Sequence, residues 1–277
     1  MNPSLLICPV CSEPLAAHVK SYTCSNGHSF DTAKEGYLNL LLSHQRKSKN
    51  PGDDKAMILA RRRFFDSGAF EPITKAIQHA TSHLPHSTIL DCGCGEGHFL
   101  GALSGTRFGV DVSKEAIRCA AKRYKDVTWI VANGMRDLPF TDHSLDVILS
   151  VLAPRNVEEF ARTLKADGQL ILGVPGPNHL IELRTLLTAN ASDFEEKADE
   201  AAEKCAPLFK EKNREALNYE VLLNKAQITD LIQMTPIFWN SSPEAKEEVQ
   251  QLNELSVTIS FVLLTLKQSD PTLHNPE

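Results

Sequence analysis

From residue 86 to 174, short apolar runs alternate with amphipathic stretches at a steady rhythm. The first run ends at Asp91, and a glycine-rich turn and a helix over 98–104 follow. A second, Arg107-Phe108-Gly109-Val110-Asp111, ends on another acidic residue. Ser113 then caps a helix over 114–124, and a third run, 127–131, leads into the polar loop 132–137. After a turn at Leu138-Pro139-Phe140 come a strand over 145–151, a helix from about 157 to 164, and a fifth strand over 169–174. Strands separated by helices at this spacing predict right-handed βαβ units on a parallel sheet.

The flanks are less regular. Gly36-Tyr37-Leu38-Asn39-Leu40-Leu41 reads as a short strand or an apolar tuck, and 43–53 as a polar, basic surface loop broken by Pro51-Gly52. Asp53 or Asp54 caps a helix running through Gly68, with a second helix over 71–83. The stretch 189–214 is dominated by Ala, Glu and Lys and predicts exposed helix. Two late strands, near 219–223 and 257–266, would complete the sheet's edge. The organisation expected is a small cysteine-bearing domain over 1–42, a basic loop with linking helices over 43–85, and an α/β core over 86–277 with a helical insertion near 189–216.

Composition narrows the class. A 277-residue chain that is 42% hydrophobic can bury a full core. No apolar run reaches the roughly 18 residues of a membrane span, and the amino terminus lacks a signal-peptide pattern, so a cytoplasmic protein is expected. The net charge of −6 disfavours indiscriminate nucleic-acid binding. Charge is uneven, however: Arg46, Lys47, Lys49, Lys55, Arg61, Arg62 and Arg63 face only Asp53 and Asp54 in one stretch. A local basic strip suits a specific anionic partner, or an ordinary solvated helix face.

Candidate chemistry sits in two motifs. Asp91-Cys92-Gly93-Cys94-Gly95-Glu96-Gly97 places glycines at alternate positions behind a strand end, where backbone must approach a ligand closely. Asp111 stands where an α/β nucleotide site needs a carboxylate for ribose hydroxyls. Dinucleotide enzymes space these glycines as G-x-G-x-x-G, whereas the D-x-G-x-G-x-G order here is similar to the first motif of class I S-adenosylmethionine methyltransferases. The second motif, Cys8-Pro9-Val10-Cys11 with Cys24 and His28, is a Cys3His set on two knuckles. Zinc favours such ligands in closed structural sites, and a short segment with a thin core needs the folding free energy a metal supplies. Seven cysteines, an odd number, argue for thiols and ligands over a disulfide framework. Cys92 and Cys94 read as packed near the ligand, and Cys119 and Cys205, in helical stretches, have no visible base partner.

A Cys3His knuckle joined to such a core resembles the bacterial RlmA family of 23S rRNA (guanine-N1)-methyltransferases. Segments that carry the resemblance include Phe30-Asp31-Thr32-Ala33-Lys34-Glu35-Gly36-Tyr37, Asn50-Pro51-Gly52-Asp53, Ala60-Arg61-Arg62, Gly109-Val110-Asp111-Val112-Ser113, Pro175-Gly176-Pro177 through His179, and Met234-Thr235-Pro236. The resemblance implies a Rossmann-like core that binds S-adenosylmethionine, one structural zinc, and methylation of guanine N1 in a hairpin of domain II of 23S rRNA. It also implies a homodimer whose cleft holds RNA. Asp91 would order the glycine loop, Gly93, Gly95 and Glu96 would line the methionine end, and Asp111 would take the ribose. Asn133 would lie by the adenine, with Phe70 and His179 in the same pocket. The family often has Tyr at Phe70, and the loop after the third strand is longer here by about a residue. Phe140, Phe238 and Trp239 are candidate platforms for a flipped base. Two other readings remain: a small-molecule methyltransferase of the quinone type, suggested by Leu138-Pro139-Phe140, and a non-catalytic zinc RNA-binding protein on a methyltransferase scaffold.

Overall fold

The computed structural model describes residues 5–45, 52–187, 197–235 and 241–269. The chain opens on a three-stranded antiparallel sheet of β1 (Ala16–Ala17), β2 (Ser21–Thr23) and β3 (Ser29–Asp31). Then come β4 (Leu38–Asn39) and two helices, α1 (Lys55–Asp66) and α2 (Glu71–Thr81). Asp54, not Asp53, caps α1 by accepting from the Met57 N–H. The alternating part follows as β5 (Thr88–Cys92), α3 (His98–Gly101), β6 (Thr106–Asp111), α4 (Lys114–Arg123), β7 (Thr128–Val131), β8 (Leu145–Val151), α5 (Val157–Thr163) and β9 (Leu164–Pro175). The chain continues with α6 (Ile181–Leu187), α7 (Lys197–Cys205), β10 (Phe209–Asn224), α8 (Lys225–Met234), α9 (Pro243–Gln251) and β11 (Glu254–Gln268).

The large sheet has the order β10-β11-β9-β8-β5-β6-β7-β4. Pairing is parallel from β4 to β9 and antiparallel where β11 meets β9 and β10. Between β5 and β8 the connections leave in opposite directions, so the loops at their carboxyl ends part and open a crevice. Ligands of open α/β sheets bind at such a switch point. Both faces are covered by apolar side chains, as the near-continuous burial of β5, β7 and β8 requires.

Two expectations change. The helical insertion expected near 189–216 is helix only over α7, and from Phe209 the chain is a long edge strand. Residues 188–196 lie outside the described part. One face of β10 is solvated, so its many charges resemble a polar helix in composition. The period of two shows only at Leu217, Tyr219, Val221 and Leu223, which turn inward. The boundary drawn at residue 42 also does not separate two cores. β4 pairs with β7, the Leu6 and Phe140 backbones bridge, and Leu6, Leu15 and Leu40 share one apolar cluster with Leu90, Val110 and Phe140.

Candidate functional site

At the switch point the chain forms a cavity of 720 Å³. Phe70, Asp91, Gly93, Gly95, Glu96, Asp111, Asn133 and His179 all line it, so the fold brings together every cofactor residue expected from the sequence. The glycine loop turns through positive φ at Gly93, Gly95 and Gly97 (86°, 54° and 84°). Side chains would also clash: a Cβ at Gly93 would meet Ala153, and one at Gly97 the ring of Trp129. Glycine is needed there for both reasons.

The loop is ordered from β6. The amides of Gly93 and Cys94 donate to the Val110 carbonyl at 2.8 and 3.1 Å. Asp111 accepts from the amides of Gly95 at 2.9 Å and Ser113 at 2.7 Å. The ordering role expected of Asp91 therefore belongs to Asp111. The Asp91 carboxylate makes no hydrogen bond among the described residues, and burial, with Asp111 nearby, pushes its pKa up to about 8. Burial also raises Asp111, against the pull of the Ser113 and Gly95 amides. Two confined carboxylates with unused acceptor capacity call for a cationic, hydroxyl-bearing ligand. S-adenosylmethionine, with its sulfonium, ammonium and ribose, meets that demand.

The opposite wall is apolar and neutral. Phe70 is fully buried and stands edge-on to His179, with ring centroids 6.2 Å apart. The His179 Nδ1 is buried without a partner among the described residues, and burial holds the imidazole near a pKa of about 4. His98 is likewise held at about 4 by burial, shares a hydrogen bond with the Thr74 hydroxyl at 3.1 Å, and stacks on Phe65. Asn133 lies where the loop after β7 meets the amino-terminal part, its Nδ2 3.5 Å from the Gln45 carbonyl. Glu96 is buried and paired with Arg62 at 3.1 Å, which ties α1 to the loop.

Several lining residues were not expected from sequence: Asp53, Arg61, Phe65, His98, Phe99, Met135 and Leu152. The segment from Gly52 into α1 lies against Ser113 and closes one side of the cavity, which no local motif announces. The basic strip divides. Arg61 pairs with Asp53, Arg62 with Glu96, and Arg63 with Asp230, so none of the three stands free for an RNA phosphate. Arg46, Lys47 and Lys49 lie outside the described residues, as do Phe238 and Trp239. Phe140 is no platform either: it is fully buried, edge-on to Phe108.

The other cluster is compact. Cys8 Sγ, Cys11 Sγ, Cys24 Sγ and His28 Nδ1 lie within 4.8 Å of one another. The Cys11–Cys24 separation is 3.7 Å, and His28 Nδ1 stands 3.6, 3.4 and 3.3 Å from the three sulfurs. Zn–S bonds of about 2.3 Å and Zn–N bonds of about 2.0 Å give a tetrahedron with edges close to these values. With four protein ligands the coordination shell is complete and leaves no position for catalysis.

Comparison with known proteins matches these two sites to two family models. Residues 6–49 match the RlmA amino-terminal zinc ribbon, and 90–172 a methyltransferase domain. YxjB of Bacillus subtilis (strain 168), named provisionally as a 23S rRNA (guanine-N1)-methyltransferase, is 34% identical, over 94% of this chain and 96% of its own. The 23S rRNA (guanine(748)-N1)-methyltransferase of Streptomyces fradiae is 30% identical, over 93% and 95%. Among solved structures, an enzyme that converts a disulfide into a thioacetal in echinomycin biosynthesis covers 73% of this chain and 84% of its own, with a TM-score of 0.50 and 13% identity. That likeness concerns the fold alone. S-adenosylmethionine is the cofactor of the cavity and zinc the ion of the ribbon. Because the relatives match over ribbon and core together, the chain belongs to the RlmA family of methyltransferases.

Proposed function

We propose that the protein transfers the methyl of S-adenosylmethionine to N1 of a guanine in a hairpin of domain II of 23S rRNA, acting in the cytoplasm as a homodimer. One observation carries this reading: a closed zinc ribbon is built onto the sheet whose switch point holds the cofactor cavity, in a chain similar over its length to rRNA methyltransferases. A quinone-type enzyme needs no such ribbon, and a pure binding module needs no cavity with confined carboxylates.

When bound, the sulfonium supplies an already activated methyl, so the chain's task is alignment. Asp111 would accept from the ribose while holding Gly95, and the loop's glycines would let backbone approach the methionine end. Asp91 would offset the cofactor's positive charge, and Phe70 with neutral His179 would form a dry wall. Asn133 would border the adenine, and Glu96 positions α1 through Arg62. Guanine N1 carries a proton that a base or water removes as the methyl arrives. N1 is paired in a duplex, so the base must be unpaired or extruded to reach the mouth.

The test is incubation of naked 23S rRNA with the protein and S-adenosylmethionine, followed by reverse transcription. N1-methylguanine blocks pairing, so a new stop is expected beside one guanine of the domain II hairpin. Methylation of a quinone with no stop on rRNA would favour the small-molecule reading.

A further inference from the structure

Arginine pairing across the molecule singles out one region. Of the described arginines, Arg61, Arg62, Arg63, Arg107, Arg118, Arg123, Arg162 and Arg214 each bind a carboxylate. Arg184 donates to the Pro177 and His179 carbonyls. Only Arg136 and Arg155 are left without a side-chain partner among the described residues. Each stands next in sequence to a residue that lines the cavity. Arg136 follows Met135 on the loop after β7, and Arg155 follows Pro154 on the loop after β8. The Asn156 side chain donates to the Arg136 carbonyl at 3.3 Å and ties the loops together.

Arg155 is the more telling of the two. It is half-buried near Cys205, and its Nε is buried with no acceptor among the described residues. A guanidinium in that position is costly unless an anion completes it.

The same two loops carry exposed apolar side chains. Met135 is 47% exposed and Leu152 46% exposed, and both line the cavity. Leu152 also sits at a φ of 53°, a left-handed conformation that a leucine adopts only when held, here by its N–H on the Gly173 carbonyl at 2.9 Å. Backbone strain that displays an apolar side chain at the mouth of a site indicates use of that side chain.

We propose that Met135, Leu152, Arg136 and Arg155 form the subsite for the acceptor nucleotide. Met135 and Leu152 bracket the faces of the extruded guanine over the methyl donor. Arg136 and Arg155 hold the phosphates on either side of it. The subsite rests on the rRNA reading above, and it fills the role that buried Phe140 does not. Two hydrophobic plates with flanking guanidiniums suit a planar base on a charged backbone, and an uncharged quinone would leave both cations unused.

The experiment measures binding of a domain II hairpin RNA across a salt series by fluorescence anisotropy, with S-adenosylmethionine affinity by calorimetry on the same preparations. Changing Arg136 and Arg155 together to Gln is expected to reduce the log–log salt slope by about 1.4–1.8, at roughly 0.7–0.9 per phosphate contact. Cofactor affinity should not change. Arg155→Met separates function from folding: it should raise the thermal midpoint of the RNA-free protein while weakening RNA binding. A merely structural arginine would lower both. Leu152→Gly should keep the fold, since glycine accepts that φ, and raise KM for RNA by more than it weakens cofactor binding. An unchanged salt slope in the double variant, with the wild type binding and methylating the hairpin, would overturn the subsite and leave the rRNA reading standing. A wild type that neither binds nor methylates the hairpin would remove both.

Discussion

In the ribbon, four ligand atoms turn inward and lie within 4.8 Å of one another, whereas in the cavity Asp91 and Asp111 stand with acceptor capacity unused. The ribbon gains its order from what fills it and then has nothing further to offer. The cavity gains its order from the backbone around it: two amides on Val110, two on Asp111, and a wall of buried rings. One site spends its chemistry on folding, and the other keeps its chemistry for a ligand. A cluster that closes completely is structural; one whose scaffold holds it open is functional.

The largest expected effect separates the two regions. Structural zinc contributes on the order of 10 kcal/mol to small domains. Cys11→Ser should therefore take metal content from one zinc per chain to almost none and abolish exchange protection in β1 to β3. β4 lies beyond the last ligand and keeps its pairing with β7, so cofactor affinity should stay within about threefold, as for distant sites. A tenfold loss would mean that the ribbon shapes the cavity. Next comes Asp111→Ala, which removes both the ribose acceptor and the anchor of Gly95. Hydrogen bonds to a charged group contribute about 1.5–3 kcal/mol each, so calorimetry should show affinity falling on the order of 100-fold or more with zinc content intact.

A smaller effect lies in pH. Before the cofactor binds, Asp91 holds its proton up to about pH 8. The cofactor's positive charge favours the carboxylate, so binding releases a proton and tightens as pH rises. Between pH 5.5 and 7 the affinity should climb by up to about tenfold per unit, the slope for one proton. Calorimetry in buffers of different ionisation enthalpy would detect the proton, and Asp91→Asn should flatten the slope. The smallest effect is at Phe70. Phe70→Tyr adds a hydroxyl to the wall shared with His179, where one net hydrogen bond to Nδ1 would stabilise the folded protein by about 0.5–1.5 kcal/mol, read as a higher thermal midpoint, with cofactor affinity unchanged. Weaker binding would show that the dry wall matters more than the extra bond.

Much of the site was legible because its determinants are local. The glycines and Asp111 report a strand end and a close backbone approach, and Cys8, Cys11, Cys24 and His28 report a metal through spacing alone. Long-range determinants left no such trace. Nothing near Asp53 indicates that it will meet Arg61 and abut Ser113, and the run Arg61-Arg62-Arg63 resembled a nucleic-acid strip until its three separate carboxylates came into view. β10 was hidden for another reason. An edge strand with one wet face has the composition of a polar helix, and only its later half shows a period of two.

The pairing of β4 with β7 has a practical consequence for dissecting the protein. Removing the first 45 residues to isolate the enzymatic part would strip β7 of its neighbour and uncover the apolar side chains that Leu6, Leu15 and Leu40 cover. A bare strand of sequence Thr128-Trp129-Ile130-Val131 is a template for intermolecular pairing. The truncated chain should therefore be recovered as aggregate, and a piece that keeps residues 32–45 should aggregate less, because it restores the neighbour of β7 while leaving the side chains under Leu6 and Leu15 bare.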